Sequence, residues 1–240
     1  MPTPDRRGIP NRAARLSAKS SRKPGHATIA SVRDRAGYIL VGGKSSRFGS
    51  DKALFEIEGR PLALRLAGFV EQAAAPVKLV GPPERYSHLG LPVIPDTLIP
   101  EMPISDIPIS DAHPAVGPLA GILAALEDST HSWNLVLACD MPLVAPELLN
   151  LLFTRAEQSS DDVWLPVSPA GLDEPLCAVY SKRAAPAIRR QIVAGTRKVT
   201  RALDGLAVRR LLPAEYAHID PAGKSFTNVN TQDDWDVSQP

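Results

Sequence analysis

The stretch Tyr38-Ile39-Leu40-Val41-Gly42-Gly43-Lys44-Ser45-Ser46-Arg47-Phe48-Gly49-Ser50-Asp51-Lys52-Ala53 decides how the chain is read. Four apolar residues stop at a glycine pair, which predicts a short buried strand that ends in a turn. In an open α/β sheet, ligands sit where strands end in this way. The turn carries Lys44, Arg47 and Lys52, and glycine lets backbone N–H groups come close to an anion. A polyphosphate suits that combination; a solvated basic loop is the plain alternative. Two common phosphate motifs do not fit. A P-loop ending at Gly43-Lys44-Ser45 needs glycine at 38, which is Tyr38, and glycines at 42, 43 and 49 do not make the dinucleotide pattern.

Outward from this stretch, strands and helices alternate. Helices are predicted over 61–75, 117–128, 146–158 and 182–194, and further strands over 77–80, 91–94, 134–138, 163–167 and 175–180. That alternation, with strands that read as continuous apolar runs, implies an α/β fold built on a mostly parallel sheet covered on both faces. No linker divides residues 37–240, so a single domain is expected there. Residues 92–118 hold seven prolines, a density that forbids helix and central strand and makes 97–116 a long loop.

Charge is unevenly placed in the 240 residues. The net charge is +1, yet residues 1–36 hold nine Lys/Arg against two Asp/Glu and the remainder holds 18 against 24. The basic first 36 residues lack an apolar period and are expected to form a disordered extension; a nucleic-acid or membrane arm, an organelle transit peptide or a misplaced start are the other readings. No apolar run is long enough to span a membrane, and no secretory signal is visible. The two cysteines, Cys139 and Cys177, cannot make a disulfide framework or a zinc site. A soluble cytoplasmic protein is the expectation, with neither nucleic acid nor membrane as partner.

Other segments carry potential chemistry. In Leu137-Ala138-Cys139-Asp140-Met141-Pro142, the carboxylate stands at the end of the most apolar strand, suited to hold Mg²⁺ together with substrate phosphates or, alternatively, to cap the next helix. The glycine-rich helix start Gly117-Pro118-Leu119-Ala120-Gly121 can bind an anion or simply allow close packing. Asn228 and Asn230 share one face of an extended segment, and Asp96 follows a predicted strand; a structural turn is the alternative for both.

Taken in order, L-x-G-G-x-S-x-R-x-G-x-D-K-A-L from Leu40, G-x-P-L from Gly59, Pro95-Asp96, G-P-L-A-G-I from Gly117, A-C-D-M-P from Ala138, P-L-C-A-V-Y from Pro175 and N-V-N-T from Asn228 resemble the molybdenum cofactor guanylyltransferases, the MobA-like nucleotidyltransferases. The likeness spans roughly 37–236. The resemblance implies a Rossmann-like three-layer α/β/α domain. It implies transfer of GMP from Mg·GTP to the phosphate of molybdopterin, with release of pyrophosphate. Gly42, Gly43, Arg47 and Lys52 would bind the triphosphate and Leu40 would also be nucleotide-binding, with Lys52, Arg47 and Asp140 as catalytic residues and Asp140 on Mg²⁺. Asp96, Gly117, Pro118, Leu119 and Gly121 would lie on the guanosine side, and Asn228 and Asn230 on the molybdopterin side. GTP and molybdopterin are the implied substrates, and other cofactor-biosynthesis proteins and molybdoenzymes the implied partners. The chain departs from the pattern in the 20 residues between Asp96 and Gly117, and in Glu174, which stands where some relatives carry a base. The competing readings are cytidylyl transfer to the same pterin, transfer to a sugar or alditol phosphate, and a non-catalytic nucleotide-binding protein.

Overall fold

The computed structural model describes residues 34–41, 51–96, 117–229 and Trp235. The extension up to residue 33, Gly42, Gly43, Lys44, Arg47, the 97–116 loop and Asn230 therefore lie outside the described residues. The strands are β1 (Arg35–Leu40), β2 (Glu56–Ile57), β3 (Arg60–Pro61), β4 (Val77–Val80), β5 (Val93–Ile94), β6 (Trp133–Ala138), β7 (Val163–Pro166), β8 (Cys177–Ser181) and β9 (Val208–Leu211). The helices are α1 (Leu62–Val70), α2 (Pro83–Tyr86), α3 (Pro118–Asp128), α4 (Pro146–Glu157), α5 (Ala185–Val193), α6 (Val199–Ala202) and α7 (Pro213–Tyr216). Among the described residues, no helix is long and apolar enough to cross a membrane.

Seven strands form one sheet in the order β5-β4-β1-β6-β8-β7-β9, and β2 pairs with β3 in a small hairpin beside it. The sheet is parallel except for β8, which runs against β6 and β7. Its reversal follows from the short link 167–176, closed by a Val167–Asp173 bridge, which leaves no room for the crossover that a parallel partner of β7 needs.

Pleating sends alternate residues of each strand to opposite faces. From β1 and β6, Ile39, Leu135 and Leu137 enter a core shared with Leu62, Leu66 and Val70 of α1 and with Leu148, Leu152 and Phe153 of α4. Tyr38 and Val136 enter a second core with Leu119 and Ile122 of α3 and Ile188 of α5. Apolar side chains on both faces are why these strands read as unbroken apolar runs. The result is the expected three-layer α/β/α domain.

The structure corrects several boundaries. Arg35 and Ala36, assigned to the N-terminal extension from sequence, belong to β1 and are buried. Arg35 is tolerated there because its guanidinium meets both carboxylate oxygens of Glu157, at 2.6 and 2.5 Å, and lies over the Phe153 ring. The helix expected over 61–75 is shorter, since Pro61 pairs in the hairpin and the regular turns stop at Val70. The helix expected over 182–194 opens with a 3-10 turn, Lys182–Ala184, before α5. Edge strand β9 and the β2–β3 hairpin are additions to the sequence reading.

Contact between β1 and α1 depends on Gly37. A Cβ there would stand 2.2 Å from Cγ1 of Val70, a β-branched side chain with little rotamer freedom in a helix. Gly37→Ala is expected to destabilise the domain by about 1–3 kcal/mol through overpacking, lowering the thermal midpoint by several degrees in a denaturation scan.

Candidate active site

Strand order reverses beside β1: chain order runs outward through β4 and β5 on one side, and β6 lies on the other. Such a switch point leaves a crevice at the carboxyl ends of the two central strands. Two of the motifs end there. The β1–β6 register pairs Leu40 with Ala138, and the amide of Cys139 donates to the Leu40 carbonyl at 3.2 Å. Val41 leads into the glycine-rich segment, and Asp140 follows Cys139 at the same level.

Asp140, half-buried, stands at the end of this arrangement. Its carbonyl accepts from the amide of Val229 at 3.0 Å, which lays the 226–229 segment beside it. Its side-chain oxygen Oδ1 is buried and has no hydrogen-bond partner. An unpaired buried carboxylate oxygen is costly unless a cation or donor completes it. Among the described residues no three His, Cys, Asp or Glu side chains surround a common metal position. A hard cation that takes one or two protein carboxylates and otherwise substrate oxygens and water fits this donor set; a cation needing a full protein cage does not.

Lys52 opens a 3-10 turn, Lys52–Leu54, that Asp51 caps: Oδ1 of Asp51 accepts from the Ala53 amide at 3.1 Å. Charges from both motifs reach Cys139. Burial pushes its thiol well above the usual range, the Asp140 and Asp51 carboxylates push the same way, and Lys52 opposes them. The ammonium and both carboxylates are thus all felt electrostatically at Cys139, at the end of β6. Cys139 itself is protonated and buried, a packing residue without nucleophilic character. Glu174 also faces this region; burial raises its carboxyl above the ordinary value, and the Asp140 and Asp173 charges add to that.

The remaining predicted residues divide by exposure. Leu40 is half-buried, and Asp96 stands just beyond β5. Gly117 adopts φ +67° and ψ −156°, backbone that only glycine enters easily, and with Pro118 it is exposed at the start of α3. Leu119 is fully buried in the second core. Gly121 is buried as well, and a Cβ there would stand 2.9 Å from Cδ2 of Leu40; it lets α3 close onto the end of β1. Asn228 is exposed next to Val229. Its segment is anchored from behind: the Ala145 amide donates to Oγ of Ser225, and Asp220 accepts from the amides of Lys224 and Ser225.

Sequence reasoning missed Tyr86 at this site. Its hydroxyl reaches the carbonyl of Val41 and the carboxylate of Asp51. These residues lie 45 and 35 positions away in the chain, so no local spacing announces the contact.

Comparison with known proteins identifies the family. The family model described as MobA-like NTP transferase domain matches residues 37–210. A protein of Pelotomaculum thermopropionicum named "Probable molybdenum cofactor guanylyltransferase" is 34% identical over 199 residues, covering 82% of this chain and 88% of its own. One of the same name from Flavobacterium johnsoniae is 30% identical, covering 82% and 92%. The crystal structure of molybdopterin-guanine dinucleotide biosynthesis protein A from Archaeoglobus fulgidus is 26% identical, with a TM-score of 0.66 over 85% of this chain and 96% of that one. Matched by the family model over residues 37–210 and 34% identical to a relative across 82% of its length, the chain belongs to the MobA-like NTP transferase family of nucleotidyltransferases.

Proposed function

We propose that this enzyme transfers GMP from GTP to the terminal phosphate of molybdopterin, yielding the guanine dinucleotide form and pyrophosphate. The names of its relatives support that choice of substrates. The observation that carries it is the buried, unpartnered Oδ1 of Asp140 at the switch point, with Lys52 on the adjoining turn.

Asp140 would hold Mg²⁺. Once bound, that ion supplies positive charge to the triphosphate and polarises the phosphoryl oxygens. The chain's own groups do the rest. Lys52, together with Arg47 and the Gly42-Gly43 backbone, holds the triphosphate and offsets the negative charge that spreads in the transition state. Gly117 and Pro118, exposed at the start of α3, and Asp96 beyond β5 take the guanosine side. Asn228 and Asn230 take the pterin side; the Val229–Asp140 contact lays the segment that carries Asn228 beside Asp140. The attacking group is a phosphate monoester, largely dianionic near neutral pH because its second pKa is about 6, so the chain need not supply a general base. The task left to the protein is to align two anions.

Incubation with molybdopterin, Mg²⁺ and each of the four nucleoside triphosphates should release pyrophosphate with GTP alone. Release with CTP alone, or only with a sugar or alditol phosphate as acceptor, overturns the assignment. Asp140→Ala should lower the transfer rate roughly 10²-fold or more while the far-ultraviolet circular dichroism stays that of the folded domain; near-normal transfer removes Asp140 from the mechanism. Chelation by EDTA should stop pyrophosphate release and readdition of Mg²⁺ restore it. The thermal midpoint without nucleotide should stay within about 2 °C, because the cation is expected to join with substrate rather than hold the fold.

A further inference from the structure

The glycine-rich segment 42–50 is bracketed by Val41 and Asp51, and one side chain touches both. Tyr86, the last residue of α2, is fully buried. Its hydroxyl oxygen stands 2.6 Å from the Val41 carbonyl oxygen and 2.8 Å from Oδ2 of Asp51. Both neighbours are acceptors and the phenol carries one hydrogen, so the bond is three-centred. Burial raises the hydroxyl well above the usual phenol range, and the Asp51 bond and charge add to that, so the group keeps its proton and remains a donor.

The two bracketing residues are held differently. Val41 is fixed to the sheet by its amide, which donates to Val80 at 3.0 Å. Asp51 lies outside the strands. One carboxylate oxygen caps the turn that starts at Lys52. The other reaches Tyr86 and the exposed guanidinium of Arg85, the latter at 3.6 Å. An exposed ion pair at that separation holds position weakly. Among the described residues, the buried hydroxyl is therefore the firm link between Asp51 and the end of β1.

We infer that Tyr86 is a positioning residue: by fixing both ends of segment 42–50 to one oxygen, it sets where Lys52 stands against the triphosphate. The inference rests on the nucleotidyl-transfer reading above. Small displacements of a charged group from its substrate carry large penalties.

Tyr86→Phe keeps the ring in the core and removes only the bridging oxygen. The expected result is a KM for GTP raised about tenfold, equivalent to about 1.4 kcal/mol, with the KM for molybdopterin changed by less than about twofold. Hydrogen exchange at the amides of residues 51–54 should quicken without nucleotide present. Tyr38→Phe is the control. It removes another buried tyrosine–aspartate bond, Tyr38 to Asp128 at 2.8 Å, where Asp128 closes the far end of α3 from Gly117, and it should leave both KM values and the 51–54 exchange unchanged. An unchanged KM for GTP in Tyr86→Phe, an equal rise in Tyr38→Phe, or unaltered exchange at 51–54 overturns the inference. If Tyr86→Phe does not fold, Asp51→Ala carries the same expectation for the two KM values. If the wild-type chain transfers no nucleotide, the function reading fails and the exchange result alone decides whether the tether exists.

Discussion

Parallel pairing of β1 with β6, in register from Arg35–Trp133 to Leu40–Ala138, holds the two chemical motifs of this molecule at one height. Everything at the site is measured from it. The glycine-rich segment leaves from Val41 and Asp140 follows Cys139, so two motifs far apart in the chain begin at neighbouring strand ends. Keeping that pair central requires apolar cover on both faces, and the two cores meet the requirement with α1 and α4 on one side and α3 and α5 on the other. Glycine is needed at two close approaches on these layers, Gly37 against Val70 and Gly121 against Leu40.

Some of the carboxylates around the switch point are paired: Asp51 meets Arg85 at 3.6 Å and Asp173 meets Arg210 at 2.7 Å. Residues 37–240 carry an excess of acids, and Asp51, Asp140, Asp173 and Glu174 all lie in or near the crevice. Oδ1 of Asp140, by contrast, is buried with no hydrogen-bond partner among the described residues.

Much of this was legible in the sequence because the physics was local. Apolar runs such as Asn134–Ala138 announce strands buried on both faces, and the Gly42-Gly43 and Cys139-Asp140 stops announce where those strands end. What escaped depends on partners far along the chain. Arg35 reads as part of a basic extension until Glu157 is known to meet it, 122 residues away. β9 is an edge strand with Arg209 and Arg210 exposed, so it lacks the apolar signature of its neighbours. Gly121 could be read from sequence as a ligand contact or as packing, and only the position of Leu40 shows the packing. Tyr86 carries no signal at all, since its importance lies entirely in two oxygens brought to it by the fold.

Helix α4 is gripped at both ends. Arg35, in the first strand, holds Glu157 at its last turn. Ser225, near the end of the described chain, accepts from Ala145 at its N-cap. Arg35 and Ser225, distant in the chain, thus attach to opposite ends of one element. Helix α4 cannot slide along its own axis over the sheet without giving up a contact at one end or the other.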